Sequence, residues 1–201
     1  MKRKPDAPAA RRNKEAILEV LANELASSRS VLEIGSGTGQ HAIHFAAALG
    51  HLVWQTSDLA ANHPGISAWI DAAGLPNVLP PLDVDVLTAV DVAGEFDAVF
   101  SANTAHIMSM AGVRRMFELA GRTLPAGGLF CLYGPFNIDG QFTSESNEQF
   151  DRSLRAGDAD MGIRDLRDLD ELARQFRLHR LRLYAMPANN MIVVWRKQEE
   201  S

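Results

Sequence analysis

Three glycines stand at alternate positions in a segment that could bind a nucleotide-type cofactor. Gly35, Gly37 and Gly39 follow the short aliphatic run Ser30–Ile34 and precede a segment with helical periodicity. Glycine lets a backbone turn sharply and pass within contact distance of a ligand, and the helix that follows points its positive end toward the same place. The spacing therefore predicts a strand, a cofactor-binding loop and a helix, in that order.

The residues around the glycines distinguish between two kinds of nucleotide cofactor. A dinucleotide-binding loop usually reads G-x-G-x-x-G, whereas this sequence has Gln40 where the last glycine would stand. Glu33 stands two positions before the first glycine, and an acidic residue followed by G-x-G-x-G resembles motif one of the class I S-adenosylmethionine-dependent methyltransferases. The resemblance implies that Glu33, Ser36 and the three glycines contact the cofactor. It disfavours an NAD-dependent oxidoreductase.

Carboxylates follow the next two predicted strands. Asp58 comes 19 positions after Gly39, where a carboxylate could accept hydrogen bonds from both ribose hydroxyls of a nucleotide. The alternative is an aspartate that caps the following helix. Asp83 follows the third predicted strand, in the position where the resembled enzymes bind the adenine amino group, and Asp85 competes with it for that role.

The segment after the fourth predicted strand supplies candidates for the reaction itself. Residues 101–106 read Ser-Ala-Asn-Thr-Ala-His, and in the resembled superfamily this segment passes beside the methionine part of the cofactor. Asn103 is therefore a candidate cofactor contact and His106 a candidate catalytic residue. The alternative for His106 is a partly buried, hydrogen-bonded histidine with no chemical role.

Polar residues in the second half of the chain could bind the methyl acceptor. Methyl transfer from a sulfonium disperses positive charge, so most of the catalytic work is to hold the acceptor in line with the methyl group and to exclude water. A base is needed only for an acceptor that is protonated at the working pH. Tyr133 and Asn137 are further catalytic candidates, and Asn147, Arg164 and Asn189 are substrate-binding candidates. For each of them the alternative is a structural hydrogen bond in a loop.

The periodicity around these residues predicts how the chain positions them. Short aliphatic or β-branched runs alternate with helical segments from residue 11 to residue 133, which is typical of a largely parallel sheet with helices on both faces. Two more β-like runs, 178–184 and 191–195, are close enough to pair antiparallel. We therefore predict an α/β fold, Rossmann-like and doubly wound, with a mostly parallel seven-stranded sheet and an antiparallel last strand. A flexible tail at 1–10 is expected to precede one domain at 11–201.

One connection is longer than this fold requires. A polar stretch at about 136–167 follows the fifth predicted strand, and open parallel sheets bind ligands at the ends of such strands. The stretch mixes aromatic anchors such as Phe142 and Phe150 with polar groups. We predict that this lid-like insertion covers the site and, with the turn at 189–190, sets acceptor specificity.

Composition excludes several other classes of protein. With 201 residues, 46% of them hydrophobic and 22% charged, the chain is expected to be globular. No apolar run approaches the roughly 20 residues of a membrane helix. The formal net charge of -5 argues against a nucleic-acid partner and favours a small-molecule or protein substrate. A single cysteine, Cys131, fits a reducing compartment, so a cytoplasmic location is expected, and His41 and His44 have no evident third partner for a metal.

From residue 11 to residue 197 the chain resembles the methyltransferase-like protein 26 family of small class I methyltransferase-like proteins. The shared motifs lie at 12–14, 32–41, 54–58, 133–136, 146–147, 150–151, 162–165 and 186–190. The sequence departs from the family at Thr56, where proline is common, and lacks an aromatic residue shortly after Asp83. The resemblance implies S-adenosylmethionine as cofactor and S-adenosylhomocysteine as product, and it fixes neither the acceptor nor the oligomeric state. The alternative is a protein that binds these molecules without turnover.

Overall fold

A seven-stranded sheet runs through the computed structural model, which describes residues 4–199. In chain order the strands are β1 (Ser30–Ile34), β2 (Val53–Asp58), β3 (Val78–Asp83), β4 (Ala98–Ala102), β5 (Leu129–Gly134), β6 (Phe136–Asn137), β7 (Arg164–Asp165), β8 (Leu178–Met186) and β9 (Asn190–Lys197). The sheet has the order β3-β2-β1-β4-β5-β9-β8, and β6 and β7 form a separate parallel pair. Strand β9 is antiparallel to both of its neighbours, while β1 to β5 are parallel. The predicted mostly parallel sheet with an antiparallel last strand is confirmed.

Helices cover both faces of the sheet, as the predicted doubly wound arrangement requires. Within the described residues they are α1 (Pro8–Glu24), α2 (Gln40–Ala48), α3 (His63–Ala73), α4 (Met110–Thr123), α5 (Glu145–Gly157) and α6 (Leu166–Gln175). Ile17 of α1 and Phe45 of α2 belong to one apolar layer, whereas Phe117 of α4 and Leu169 of α6 belong to the other. The sheet therefore separates two cores, and its carboxyl edge lies between two sets of helices.

Strand β5 divides its side chains between the two layers. Phe130 and Leu132 belong to the layer of α4 and α6, and Cys131 and Tyr133 to the layer of α1 and α2, since successive side chains of a strand point to opposite faces. Cys131 is fully buried, and burial raises the pKa of its thiol. It packs as a small core residue. The same alternation places Tyr133 on the α1 and α2 side, near the carboxyl end of the strand.

The observed elements differ from the predicted ones mainly at their ends. Helix α1 begins at Pro8, before the start expected near residue 11, and Ala10 is buried although it lies in the predicted tail. Proline suits the first turn of a helix because it lacks the N–H that would be unpaired there. Residues 1–3 of the predicted tail lie outside the described residues. Residues 84–97 join β3 to β4 through turns and bends.

The segment before α1 is fastened to the helices that follow β1 and β2. We call Lys4–Ala7 the N-terminal segment. The Gln40 side chain donates to the Asp6 carboxylate at 3.1 Å and accepts from the Ala7 N–H at 2.5 Å. The Trp69 indole donates to the Pro5 carbonyl at 2.8 Å. Gln40, which the sequence marks as a departure from the dinucleotide pattern, thus anchors the N-terminal segment beside the glycine loop.

Gln40→Leu is expected to release the N-terminal segment, because leucine can neither donate to Asp6 nor accept from Ala7. The substitution removes these two hydrogen bonds and a third from the Thr38 hydroxyl at 3.0 Å, which should lower the free energy of unfolding by about 1 to 3 kcal/mol. Hydrogen exchange of the Ala7 amide should accelerate at least about tenfold, which corresponds to roughly 1.4 kcal/mol of local opening. Gln149→Leu, in which an exposed glutamine on α5 is replaced, is the control. An unchanged Ala7 exchange rate in Gln40→Leu would contradict the anchoring role.

Candidate functional site

A cavity of about 610 Å³ opens at the carboxyl edge of the sheet. Its wall is formed by the loops after β1, β2, β3 and β4, by residues 107–112 and by two residues that follow α5. Open parallel sheets bind ligands at this edge because the connecting loops converge there. Four of the sequence-predicted cofactor contacts line the cavity: Gly35, Gly37, Asp58 and Asn103.

The glycine loop brings bare backbone to the cavity wall. Gly35 has φ +73°, and a Cβ atom there would lie 2.8 Å from the methyl carbon of Thr104. Gly37 has φ +58°, and a Cβ atom there would have no neighbour within 4 Å. Glycine is therefore required at Gly35 by packing and at both positions by conformation. The open space beside Gly37 leaves room for a ligand. Gly39, the residue before α2, does not line the cavity.

Glu33 lies beneath the loop and does not line the cavity. Only 2% of the residue is exposed. The Ser36 hydroxyl and the Trp54 indole donate to the same Glu33 carboxylate oxygen, at 2.7 Å and 3.1 Å. Burial raises the pKa of Glu33 to about 7, even though these two hydrogen bonds favour the charged form. Glu33 and Ser36, both predicted cofactor contacts, thus hold the loop from below.

Asp58 connects the glycine loop to the end of β2. Its carboxylate accepts hydrogen bonds from the Gly37 N–H at 2.6 Å, from the Leu59 N–H at 2.7 Å and from the Asn62 amide at 2.8 Å. Asp58 therefore stabilises the local turn and also lines the cavity, but its carboxylate does not cap the following helix, since neither the short turn Ala60–Asn62 nor α3 has a side-chain cap. A carboxylate has about four lone-pair positions, and one remains for a ligand hydroxyl.

The two carboxylates after β3 differ in position. Asp83, the predicted adenine contact, is exposed, accepts from the Ala60 N–H at 3.1 Å and does not line the cavity. Asp85 lines the cavity and accepts from the Leu87 N–H at 2.9 Å. Val84 lines the cavity in the region where the sequence lacks the expected aromatic residue. The competing candidate, Asp85, is therefore the one within reach of a ligand.

The insertion after β5 touches the cavity through two residues. We call residues 136–167 the cover segment, and among them Asp158 and Asp160 line the cavity. Neither residue is among the predicted site residues, because nothing in the sequence distinguishes them from the other acidic residues of the segment. They follow α5 directly, where a helix has just ended and the chain turns back toward the sheet.

Arg164, a predicted substrate contact, instead fastens the cover segment to the loop after β4. The residue is buried, and its guanidinium donates to the carbonyls of Ala105 at 3.0 Å and Asp160 at 2.8 Å and to that of Met108. The Gly162 N–H adds a bond to the His106 carbonyl at 2.9 Å. These contacts join two parts of the cavity wall, the one at Met108 and the one at Asp160. Arg164 therefore acts on the cavity through its neighbours.

The backbone of His106 takes part in this contact between the cover segment and the loop after β4. The residue does not line the cavity. Its ring packs edge to face on Phe150 of α5, with 5.3 Å between the centroids. Burial, together with a smaller effect of the nearby Arg164 charge, lowers the pKa of His106 to about 4. The ring is neutral at pH 7. The ring lies in the contact between α5 and the loop after β4, and a catalytic role for His106 stays a prediction.

The other predicted acceptor contacts are engaged with each other or lie apart from the cavity. The Asn147 amide donates to the Asn189 carbonyl at 3.0 Å, and the Asn189 amide donates to the Ser146 hydroxyl at 3.2 Å. These bonds join α5 to the turn between β8 and β9. Among the described residues, the Asn137 side-chain oxygen is buried and has no hydrogen-bond partner. Tyr133 is buried at the end of β5.

Residues 4–197 match the family described as "Protein of unknown function (DUF938)". The chain belongs to the DUF938 family. Within its described residues no group of three or more histidine, cysteine or acidic side chains is placed to hold a metal ion. In the same range, no helix of this DUF938 protein combines the length and the apolar character needed to cross a bilayer.

Solved structures of methyltransferases share the fold of this DUF938 protein. An O-methyltransferase family protein from Burkholderia thailandensis superimposes with a TM-score of 0.81 at 15% identity, over 94% of this chain and 57% of that one. An O-methyltransferase family 2 protein from Planctomyces limnophilus, in complex with apigenin, gives 0.80 at 14% identity over 94% and 58%. Human N-acetylserotonin methyltransferase in complex with S-adenosylmethionine gives 0.74 at 12% identity over 92% and 55%. The DUF938 chain thus has the class I methyltransferase fold and spans little more than half the length of these proteins.

Proposed function

We propose that this chain is an S-adenosylmethionine-dependent methyltransferase that acts on a small-molecule or protein acceptor. The observation that carries the proposal is the cavity wall in which the Gly37 N–H bonds to the Asp58 carboxylate at 2.6 Å beside open space. That wall supplies bare backbone and a carboxylate to the same ligand. The fold shared with methyltransferases supports it, as does the resemblance to the methyltransferase-like protein 26 family, to which we propose the chain is related. A cytoplasmic location completes the proposal.

The charge of the wall favours this cofactor over NAD. Four carboxylates line the cavity: Asp58, Asp85, Asp158 and Asp160. No lysine, arginine or histidine lies among the lining residues in the described part of the chain. A pyrophosphate would be repelled there, since like charges at short range in a partly buried site are costly. Ribose hydroxyls and an adenine amino group are hydrogen-bond donors, and a sulfonium is a cation, so all three suit carboxylates.

Each wall residue has a role in this proposal. S-Adenosylmethionine, when bound, supplies an activated methyl group on a cationic sulfur. Gly35 and Gly37 leave room for the cofactor against the backbone, Asp58 accepts from one ribose hydroxyl, and Asp85 accepts from the adenine amino group. Asn103 lies beside the methionine part, and the loop that Arg164 fastens excludes water from the reacting atoms.

A binding protein without turnover is the second candidate. One observation favours it: Asn147, Arg164 and Asn189 all bond to protein groups, which reduces the polar side chains free to hold an acceptor. The cofactor site would be the same in both cases. Transfer of a labelled methyl group distinguishes the two.

Calorimetry with S-adenosylmethionine, S-adenosylhomocysteine and NAD tests the proposal. We expect both adenosyl compounds to bind and NAD to bind at least about 100-fold more weakly, a difference of roughly 2.8 kcal/mol. Asp58→Asn should weaken S-adenosylmethionine about 10- to 30-fold, because a charge-assisted bond becomes a neutral one. Asp71→Asn, an exposed substitution on α3, is the control. NAD binding tighter than that of either adenosyl compound would overturn the proposal.

Limited proteolysis tests whether the cover segment responds to the cofactor. Trypsin can cleave after Arg152 and Arg155 of α5, just before the two residues that line the cavity. S-Adenosylhomocysteine should slow these cleavages at least about fivefold, because an occupied cavity reduces local opening. Cleavage after Arg122 on α4 is the internal control. Arg164→Lys should lose the protection, since lysine cannot bond three carbonyls in one plane. Equal cleavage with and without the ligand would remove the cover segment from the mechanism.

A further inference from the structure

The N-terminal segment packs directly on the backbone of α3. Gly65 lies in the first turn of this helix, and a Cβ atom there would lie 2.8 Å from the Cγ atom of Pro5. The Trp69 indole, one turn further along the helix, donates to the Pro5 carbonyl at 2.8 Å. The Lys4 ammonium group lies 4.4 Å from the centroid of the Trp69 ring, within the range of a cation–π contact. Glycine at position 65 therefore makes room for the segment.

The same segment is bonded to the glycine loop through a single oxygen atom. The Gln40 Oε1 atom accepts from the Ala7 N–H at 2.5 Å and from the Thr38 hydroxyl at 3.0 Å. Thr38 lies between Gly37, which lines the cavity, and Gly39, which precedes α2. A change in the position of Thr38 therefore reaches the N-terminal segment through one side chain.

Both contacts of the segment lead to Asp58 in the cavity wall. The Asp58 carboxylate accepts from the Gly37 N–H at 2.6 Å and from the Asn62 amide at 2.8 Å. Gly37 is the neighbour of Thr38 in the glycine loop, and Asn62 directly precedes α3. All three of these wall residues, Asp58, Gly37 and Asn62, line the cavity. The N-terminal segment thus joins, from outside the cavity, the same two elements that Asp58 joins within its wall.

We propose that the N-terminal segment holds the glycine loop and α3 in the arrangement that binds the cofactor, so that cofactor binding and attachment of the segment strengthen each other. The proposal rests on the proposed function and goes beyond it by naming an element outside the cavity that controls cofactor affinity. When the segment is released, the loop and α3 lose the bridge between them. The cofactor must then order them itself, and the entropic cost of that ordering lowers its affinity.

Thermodynamic linkage makes this coupling measurable from both sides. If release of the segment weakens cofactor binding by a given factor, saturating cofactor must suppress release by the same factor, because both processes belong to one cycle. Release is followed by hydrogen exchange of the Ala7 amide, whose proton is bonded to Gln40 while the segment is attached. We expect a factor of about 5 to 20, within the range that is common for coupled sites.

Gly65→Ala tests the proposal in the full chain. The added methyl group would lie too close to Pro5 and displace the segment, whereas alanine favours the helix itself more than glycine does. The variant should therefore fold, and calorimetry should show an affinity for S-adenosylhomocysteine about 5- to 20-fold below that of the wild type. Gly50→Ala, which adds the same methyl group in open space at an exposed turn, is the matched control and should bind with wild-type affinity.

Two further variants break the two contacts of the segment separately. Trp69→Phe keeps an aromatic ring and removes the donor to the Pro5 carbonyl, so the affinity for S-adenosylhomocysteine should fall about two- to fivefold. Thr38→Val removes the hydroxyl that bonds to Gln40. In this variant S-adenosylhomocysteine should slow Ala7 exchange less than about threefold, because the glycine loop then reaches the segment only through α3.

Hydrogen exchange of the wild-type chain gives the reciprocal measurement. Saturating S-adenosylhomocysteine should slow Ala7 exchange by the same factor that Gly65→Ala loses in affinity. A wild-type chain that fails to bind S-adenosylhomocysteine overturns the proposed function, and this proposal with it. Binding that leaves wild-type Ala7 exchange unchanged overturns the coupling alone. So does wild-type affinity in folded Gly65→Ala, whether its Ala7 amide exchanges fast, which would show that release does not matter, or slowly, which would show that packing on Gly65 does not hold the segment.

Discussion

Gly37→Asp is expected to abolish S-adenosylmethionine binding, with an affinity loss of at least about 100-fold or roughly 2.8 kcal/mol. The space beside Gly37 is open, so a side chain there would occupy ligand volume instead of clashing with protein. Its carboxylate would also lie next to Asp58, which accepts from the Gly37 N–H at 2.6 Å. Two carboxylates at this distance repel each other and would distort the loop.

The substitution also strains the backbone, and this effect needs its own control. Gly37 has φ +58°, and a non-glycine residue in that conformation costs about 1 to 2 kcal/mol. Gly74, at the end of α3, has φ +61°, is exposed and would also place a Cβ atom in open space. Gly74→Asp should therefore lose similar stability and retain full cofactor affinity. Calorimetry and thermal unfolding of both variants measure the difference, and wild-type affinity in folded Gly37→Asp would show that the ligand lies elsewhere.

The fold could be predicted because short apolar runs alternate with helical segments up to β5, except between β3 and β4, where turns and bends replace the helix. Parallel strands are buried on both faces, so their residues read as continuous apolar runs, as in the fully buried Val31 and Leu32 of β1. The ends of elements were harder to predict. Helix α1 begins early because Gln40, far away in sequence, binds the residues before it.

Backbone conformation defines two of the four predicted cofactor contacts that line the cavity. Gly35 and Gly37 carry their role in their residue type, since other residues cannot easily adopt their conformation. Arg164 and Asn147 are ambiguous in sequence, because the same side chain can bind a ligand or a carbonyl of the protein. The structure engages both with carbonyls. Asp85 lines the cavity and Asp83 does not, because the chain turns after β3 in a way that no local sequence pattern predicts.

Buried titratable groups make stability depend on pH in two opposing ways. His41 and His106 are neutral in the fold, each with a pKa lowered to about 4 from 6.5. The unfolded chain binds their protons more readily, so their burial destabilises the fold as pH falls from 6.5 toward 4. Glu33 acts in the opposite direction, since its pKa is raised in the fold. A substitution at Glu33 therefore measures the effect of its raised pKa on stability separately from the effect of the two histidines.

Glu33→Gln should stabilise the fold at pH 8 and have little effect near pH 4.5. The pKa of Glu33 rises from 4.5 to about 7 on folding. Above pH 7 the buried Glu33 charge therefore destabilises the folded state. A shift of this size corresponds to at most about 3 kcal/mol. That cost disappears as pH falls from 7 to 4.5, because the folded chain then takes up the proton. Glutamine keeps an oxygen for Ser36 and Trp54 but adds N–H groups that need partners, so we expect a net gain of about 1 to 2 kcal/mol.

Thermal unfolding at both pH values checks this expectation. A gain of 1 to 2 kcal/mol in a chain of this size raises Tm by about 2 to 8 °C. Glu19→Gln, which replaces an exposed carboxylate on α1, should leave Tm unchanged at both pH values and serves as the control. If Glu33→Gln lowered Tm at pH 8, the Glu33 charge would be stabilising the loop through Ser36 and Trp54 by more than burial costs. A gain in Tm with unchanged S-adenosylmethionine affinity would instead establish that Glu33 supports the glycine loop from below, without contacting the ligand that the loop binds.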